Sequence, residues 1–262
     1  MNIKKDIKSL MGRTAGACGL LARDFSSKMV IVTFHRVNDR LDLDGITCNS
    51  TTFETFCRYF RSHFTVVPLS EQIAGIRARR NMGGTLSITF DDGYRDNAEV
   101  AAPILQRLGL AATFFVVTGF IGTEYTPPWD AHLVYSPRWM DWNQLRTLRD
   151  QGFEIGAHTD QHIDLGVEES DSIRVDLARC RTKLQHELGI AAGPFAYPFG
   201  GRSNIRPSAV ELVREAGFEC CLSSCGGVNV PTADPFQLNR INVGGWFVTP
   251  HQLGLEILLH RA

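Results

Sequence analysis

Two adjacent carboxylates, Asp91 and Asp92, directly follow a short apolar run and precede Gly93. The run, residues 85–90 (TLSITF), predicts a strand that is buried on both faces. Like charges beside a buried strand are costly, because they repel each other and both lose water. A bound cation, or a shared role in proton transfer, would offset that cost. A turn or a helix cap is the alternative interpretation, since Asp-Asp-Gly is also common there.

Two histidines four positions apart, His158 and His162, follow a second predicted strand at residues 153–157. At a strand-to-helix junction, this spacing allows both imidazoles to converge on one ion. A lone histidine is more often structural, but this pair shares its chain with the aspartate pair and lies at another strand end. An aspartate, two histidines and open coordination positions suit Zn²⁺, with Co²⁺, Mn²⁺, Fe²⁺ or Ni²⁺ as alternatives. Water and a substrate oxygen would fill the open positions.

A third strand end carries the stretch FAYPFGG, residues 195–201. A Pro-aromatic-Gly turn in this position can present a backbone N–H toward the same end of the sheet, where it would stabilise an oxyanion. An ordinary tight turn explains the stretch equally well.

The elements that must position these residues alternate between short β-rich runs and helical stretches. Strands are predicted at 29–34, 85–90, 112–117, 153–157, 195–197, 220–223 and 239–243, and helices at 52–63, 70–80, 97–108, 142–151, 170–188, 207–216 and 250–259. Repeated strand–helix units imply an α/β fold with parallel strands, and about seven or eight units favour a closed barrel over an open sheet. No glycine-rich phosphate loop follows a strand, which argues against a nucleotide-binding sheet. Residues 119–141, rich in Pro, Trp and Tyr, form a long irregular insertion that is predicted to wall a cleft.

Composition narrows the class of protein further. The 262 residues carry a net charge of −1, so nothing indicates a nucleic-acid partner, which usually requires a basic face. The seven cysteines form no C-x-x-C pair, and free thiols in a reducing compartment are the simplest explanation.

The first 27 residues differ in character from residues 28–262, which we expect to form a single domain. Residues 3–24 are predicted to form a basic amphipathic helix, which either packs on the domain or rests on the inner membrane surface. The apolar run is interrupted by Arg13 and is too short for a clear export signal, so we expect a cytoplasmic protein.

Taken in order, TFDDG, H-T-x-x-H and F-x-Y-P-F-G resemble the successive motifs of the polysaccharide deacetylase family (carbohydrate esterase family 4, the NodB homology domain). The resemblance extends from about residue 28 to 245. It implies a distorted (β/α)₇ barrel that hydrolyses N-acetyl groups on amino sugars with a divalent metal, most simply Zn²⁺. The matching positions imply Asp91 as general base, the trio Asp92, His158 and His162 as metal ligands, and the Phe199 backbone N–H as part of the oxyanion hole.

Two departures from the family pattern require substitutes. Many relatives carry an arginine that contacts the base aspartate, where this chain has Ala196, and the late Leu-x-x-His motif that supplies the acid has no convincing match. The sequence FHRV places His35 after the first strand and resembles the [YF]-H-x-V motif of exopolysaccharide-type deacetylases, whose motif order is circularly permuted. We therefore expect His35 to be the acid, with a core histidine as the alternative, and Arg240 to replace the missing arginine. Trp142 and Trp246 are expected to line the acetyl pocket or to pack in the core.

These residues favour a sugar N-deacetylase acting on a bacterial surface polysaccharide or its lipid-linked precursor. A deformylase or amidase acting on another C–N bond uses the same chemistry and stays open. An inactive carbohydrate-binding module is a third hypothesis, although such a module would not need both the Asp-Asp and the His-x-x-x-His sets.

Overall fold

The computed structural model describes residues 3–17, 24–191, 193–247 and 249–260. The strands are β1 Met29–Phe34, β2 Arg36–Val37, β3 Thr47–Cys48, β4 Thr65–Val66, β5 Thr85–Phe90, β6 Thr113–Val116, β7 Glu154–Ala157, β8 Pro194–Ala196, β9 Cys220–Leu222 and β10 Ile241–Asn242. The helices are α1 Ile3–Ala17, α2 Ser50–His63, α3 Leu69–Arg77, α4 Ala102–Leu108, α5 Trp142–Asp150, α6 Ser170–Leu188, α7 Pro207–Glu215 and α8 Pro250–Leu259. A π-helical turn, Asn97–Ala101, leads into α4, and a short 3₁₀ turn, Arg202–Asn204, precedes α7.

The main sheet is parallel and confirms the predicted α/β architecture. Its strand order is β10-β1-β5-β6-β7-β8-β9, and β4 pairs with the first residues of β5. Strands β1 and β5 are in register over six residue pairs, from Met29 with Thr85 to Phe34 with Phe90. Because parallel strands end at the same edge of a sheet, the loops after β1, β5, β7 and β8 meet on one face.

The barrel closes through irregular backbone between its edge strands β9 and β10. Leu238 pairs with Leu222 of β9 in an isolated parallel bridge, and the Gly226 N–H donates to the Arg240 carbonyl at 3.0 Å. The (β/α)₇ barrel therefore closes without a full ladder between β9 and β10.

Two layers of apolar packing hold the sheet. Residues of β1 alternate between a small cluster that contains Met29 and Ile31, and a larger one in which Phe34 packs with the helices. Phe34 stacks on Phe90, with ring centroids 5.7 Å apart. In β7, a Cβ on Gly156 would lie 2.4 Å from the Phe115 ring, so close packing of the small cluster requires glycine there.

The N-terminal helix α1 packs along α8. Ser9 hydrogen-bonds Thr249 at 2.7 Å, Lys8 lies 3.6 Å from Glu256, and Gly12 allows the close approach of the His251 backbone. Residues 18–23 of the predicted 3–24 helix lie outside the described residues. Among the helices that are described, none combines the length and apolar character needed to cross a membrane.

Most predicted elements agree with the structure to within a few residues, but the prediction missed the short strands β2, β3 and β4. Each has two residues, too few for a period to be visible. The insertion at 119–141 is irregular, as predicted. The six cysteines within the described residues are free thiols, Cys48, Cys57, Cys180, Cys220, Cys221 and Cys225.

Candidate active site

A cavity of about 290 Å³ opens at the carboxyl ends of the strands. Its lining residues come from the loops after β1, β2, β5, β7, β8 and β9, from the insertion and from β10. They are His35, Ile46, Asp91, Asp92, Trp129, His158, His162, Tyr197, Phe199, Ser224 and Asn242. The three motifs that are separate in sequence therefore meet in one place.

Asp92, His158 and His162 converge on one point. Their potential ligand atoms all lie within 4.8 Å of one another. Asp92 Oδ1 is 3.4 Å from His158 Nε2 and 3.3 Å from His162 Nε2. The Nδ1 of His158 donates to the Ala196 carbonyl at 2.8 Å, so the lone pair of Nε2 faces Asp92. One carboxylate oxygen and two imidazole nitrogens in this arrangement fit a divalent cation.

Burial of Asp92 opposes its ionisation, but the adjacent His158 and His162 imidazoles outweigh that effect and hold the pKa of the carboxyl well below its ordinary value. The carboxylate form, which is the form that binds a cation, is therefore the stable one.

Unusual backbone conformations are concentrated at these residues. Five non-glycine residues within the described ranges have positive φ, and four of them are site residues or their neighbours: Asp92 at 74°, Thr159 at 66°, His162 at 55° and Phe199 at 61°. Such conformations cost free energy and persist where the surrounding structure imposes them. The fold here places side chains at the expense of local backbone stability.

Asp91 is held by Arg240 rather than by the cation cluster, as we call the trio Asp92, His158 and His162. Arg240 Nη1 donates to Asp91 Oδ1 and Nη2 donates to Oδ2, both at 2.7 Å, and both residues are buried. The Arg240 Nε also donates to the Ser223 carbonyl at 2.9 Å. Burial raises the pKa of Asp91, but the Arg240 charge, with help from His158 and His35, brings the net pKa below its ordinary value.

His35 directly follows β1. In the order of the strands, it lies on one side of Asp91 and the histidines of the cation cluster lie on the other. Its Nε2 is 4.0 Å from Asp91 Oδ2, and its carbonyl accepts a hydrogen bond from Asn97 at 2.7 Å. Burial lowers the pKa of His35, and the charges of Asp92 and Asp91 offset this only in part.

Phe199 follows β8 in a tight turn, and 54% of the residue surface is exposed at the cavity. Its ring lies 4.8 Å from the His162 ring. Its backbone N–H donates to no acceptor within the described ranges, as an oxyanion-hole donor would require.

Trp129, from the insertion, packs against His162 with ring centroids 4.6 Å apart. The Trp129 Nε1 donates to the Tyr94 hydroxyl at 2.9 Å, and that hydroxyl donates to Asp130 at 2.8 Å. Asp130 is a buried ion-pair partner of Arg36. The insertion is thereby fixed over the cavity as a wall.

Residues 78–221, more than half of the chain, match the family model for polysaccharide deacetylase. The chain belongs to the polysaccharide deacetylase family. It is accordingly a hydrolase that acts on carbon–nitrogen bonds other than peptide bonds.

Similarity to individual proteins extends over most of the chain. The Bacillus subtilis (strain 168) protein YxkH is 20% identical over 219 residues, which are 83% of this chain and 72% of YxkH. The structure of the Streptococcus pyogenes deacetylase PplD in complex with acetate has a TM-score of 0.70 at 18% identity, covering 86% of this chain and 96% of PplD. The structure of IcaB from Ammonifex degensii gives 0.71 at 24% identity, covering 83% and 92%. These structures share the barrel fold of the deacetylase.

Neither Trp142 nor Trp246 lines the cavity of the deacetylase. Trp142 begins α5 and packs against the core, which was the alternative prediction, whereas Trp246 is 59% exposed beside Gly45. The tryptophan at the cavity is Trp129, which the sequence interpretation missed, although its place in the Pro-rich insertion was a usable signal. Asn242, at the predicted last strand, was also missed as a cavity residue.

Proposed function

We propose that this deacetylase removes N-acetyl groups from amino sugars of a bacterial surface polysaccharide or its lipid-linked precursor, and that it requires a divalent metal, most simply Zn²⁺. The proposal rests on one cavity that is lined both by Asp91, which is paired with Arg240, and by the cation cluster Asp92, His158 and His162. A substrate with an N-acetyl group fits a site that holds a base, a cation cluster and a candidate acid together.

In this proposal Asp92 and the two histidines hold the metal, since they offer one anionic oxygen and two neutral nitrogens. The bound ion would polarise the acetyl carbonyl and make a water molecule more acidic. The donor set of one carboxylate oxygen and two imidazole nitrogens favours Zn²⁺ over Mg²⁺ or Ca²⁺.

The remaining residues handle protons and charge. Asp91 takes a proton from the attacking water, and Arg240 keeps its carboxylate ionised and oriented for that role. The water oxygen adds to the acetyl carbon, and the Phe199 N–H donates to the oxygen on which negative charge develops. His35 protonates the leaving nitrogen as the C–N bond breaks, which yields acetate and the free amine. His35 Nε2 lies 4.0 Å from Asp91 Oδ2, so the proton that Asp91 takes from water is available nearby to restore His35 after the amine leaves.

Arg240 takes the role of the family arginine from a different strand. Ala196 lies in the small interior cluster with Phe115, and the Arg240 guanidinium lies 5.5 Å from the centre of the Phe115 ring. The guanidinium thus reaches Asp91 across the barrel interior from the β10 side. We infer that the position of the arginine along the chain can change while its contact with the base is kept.

Acetate release from a panel of N-acetylated oligosaccharides, with and without a chelator, tests this function. We expect release from at least one glycan, its loss with chelator and its return with Zn²⁺. Formate release from N-formyl substrates alone would favour the deformylase alternative, and binding without turnover would favour a carbohydrate-binding module.

We also propose that the protein acts in the cytoplasm at the inner membrane surface. In α1, Ile7, Leu10 and Met11 are 52%, 66% and 54% exposed, while the opposite side of the helix packs on α8. The sequence around them contains Lys4, Lys5, Lys8 and Arg13 against Asp6, a balance suited to anionic lipid. Co-sedimentation with vesicles containing phosphatidylserine should fall in the variant Leu10→Glu, and equal sedimentation of that variant would contradict the proposal.

A further inference from the structure

Asn242 occupies the end of β10 beside the active-site strand β1. In the parallel pairing its Cα partner is Thr33, two residues before His35. Its side chain lines the cavity together with His35 and Asp91. The side chain therefore belongs to the same wall as the candidate acid.

The Asn242 Oδ1 atom is buried and has no hydrogen-bond partner among the described residues. Three other cavity residues carry a buried atom of this kind: His35 Nδ1, His162 Nδ1 and Tyr197 Oη. Those atoms can donate or accept, depending on tautomer or rotation, whereas a side-chain amide oxygen can only accept. A buried acceptor without a partner is costly, so a partner that arrives with the substrate would explain its retention.

The sheet order indicates which part of an N-acetyl group would meet this atom. Asn242 and His35 belong to the β10 and β1 side of the cavity, while the cation cluster and Phe199 follow β5, β7 and β8. The carbonyl oxygen must face the cation cluster and the Phe199 N–H. The nitrogen must face His35, which is to protonate it. The amide N–H, the one donor of an acetamido group, then lies on the Asn242 side.

We propose that Asn242 Oδ1 accepts a hydrogen bond from the N–H of the substrate acetamido group, which makes Asn242 the residue that distinguishes amide from ester substrates. The inference rests on the proposed function. It assigns to Asn242 the orientation of the scissile bond, with the nitrogen turned toward His35 and the carbonyl toward the cation cluster. An O-acetyl ester has no N–H and gains nothing from this contact.

The test compares the holoenzyme with Asn242→Ala and Asn242→Leu on two matched sugars, one with a 2-N-acetyl group and one with a 2-O-acetyl group. We expect kcat/KM for the amide to fall roughly 10- to 100-fold in both variants, because the contact supports both binding and orientation. For the ester we expect a change of less than about twofold. The melting temperature of Asn242→Leu should equal or exceed that of the wild type, since the substitution removes an unpaired buried acceptor.

Asn143→Ala, on the exposed surface of α5, serves as the matched control and should leave both rates unchanged. Equal losses on amide and ester would overturn the inference, because they would mean that Asn242 contacts the carbonyl or only supports the fold. Unchanged amide kinetics in both variants would overturn it as well. Failure of the wild type to release acetate from any N-acetyl sugar would contradict the proposed function itself, and the inference with it.

Discussion

Replacing Arg240 by methionine removes the guanidinium from Asp91 and leaves the carboxyl buried without its cation. The two hydrogen bonds of 2.7 Å are lost, and the exposure of the Asp91 side chain is only 2%. Removing one partner of a buried ion pair typically costs about 3–5 kcal/mol in stability. For a domain of this size the melting temperature should therefore fall by roughly 6–20 °C at neutral pH.

The pH dependence of that loss has a definite sign. In the wild type the pKa of Asp91 is lowered, so its stabilising contribution is present above the unfolded-state pKa and is lost as pH falls through the folded-state value. In Arg240→Met the pKa of Asp91 rises, because burial then opposes ionisation without the arginine charge that offset it. The variant should therefore lose most stability at pH 8 and least near pH 4.

The same change should move the acidic limb of kcat/KM to higher pH, because the base must be ionised to accept a proton. Acetate release measured from pH 4 to 9, with metal content determined for each protein, records the limb. Arg181→Met, which removes a guanidinium bonded to the Ala191 and Ala216 carbonyls outside the cavity, is the matched control. If the Arg240→Met and wild-type profiles superimpose after normalisation, Arg240 does not set the ionisation of Asp91.

Three further outcomes follow from the same geometry. His35→Asn should lower kcat by about 10²–10⁴ without changing metal content, and near-normal turnover would exclude His35 as the acid. Asp92→Asn should lower the metal:protein ratio after dialysis, measured by elemental analysis; full occupancy would argue that the ion is held elsewhere. Asp130→Asn breaks the buried ion pair with Arg36 that fixes the insertion, and should lower the melting temperature by about 6–12 °C. We expect a value toward the lower end, because Arg36 keeps its ion pair with Asp44. An unchanged melting temperature would show that the Asp130–Arg36 pair does not stabilise the insertion.

The cation cluster was accessible to sequence interpretation because its signals are local. Asp91 and Asp92 follow one buried strand, and the histidine pair follows another, so parallel packing alone brings them to one edge. Continuous apolar runs such as β1 and β5 are also unambiguous, since both faces are covered.

The rest depends on contacts between distant segments. The Asp91–Arg240 pair spans 149 positions. The sequence predicted Arg240 as the substitute arginine because it opens a late strand, but the route of its side chain through the barrel interior is visible only in the structure. Trp129 was missed because the spacing of an irregular insertion does not show which aromatic residue turns inward. Asn242 was missed because an unpaired acceptor becomes visible only when its surroundings are known.

Metal-dependent deacetylation with Asp91 as the base is tested by acetate release from N-acetylated oligosaccharides by the wild type and Asp91→Asn, each assayed as purified, with chelator and after addition of Zn²⁺. We expect release by the wild type, loss with chelator and recovery with Zn²⁺. We expect no recovery for Asp91→Asn, although that variant should still bind metal. Release that persists in the chelator, or Asp91→Asn turnover close to that of the wild type, would contradict metal-dependent catalysis with Asp91 as the base.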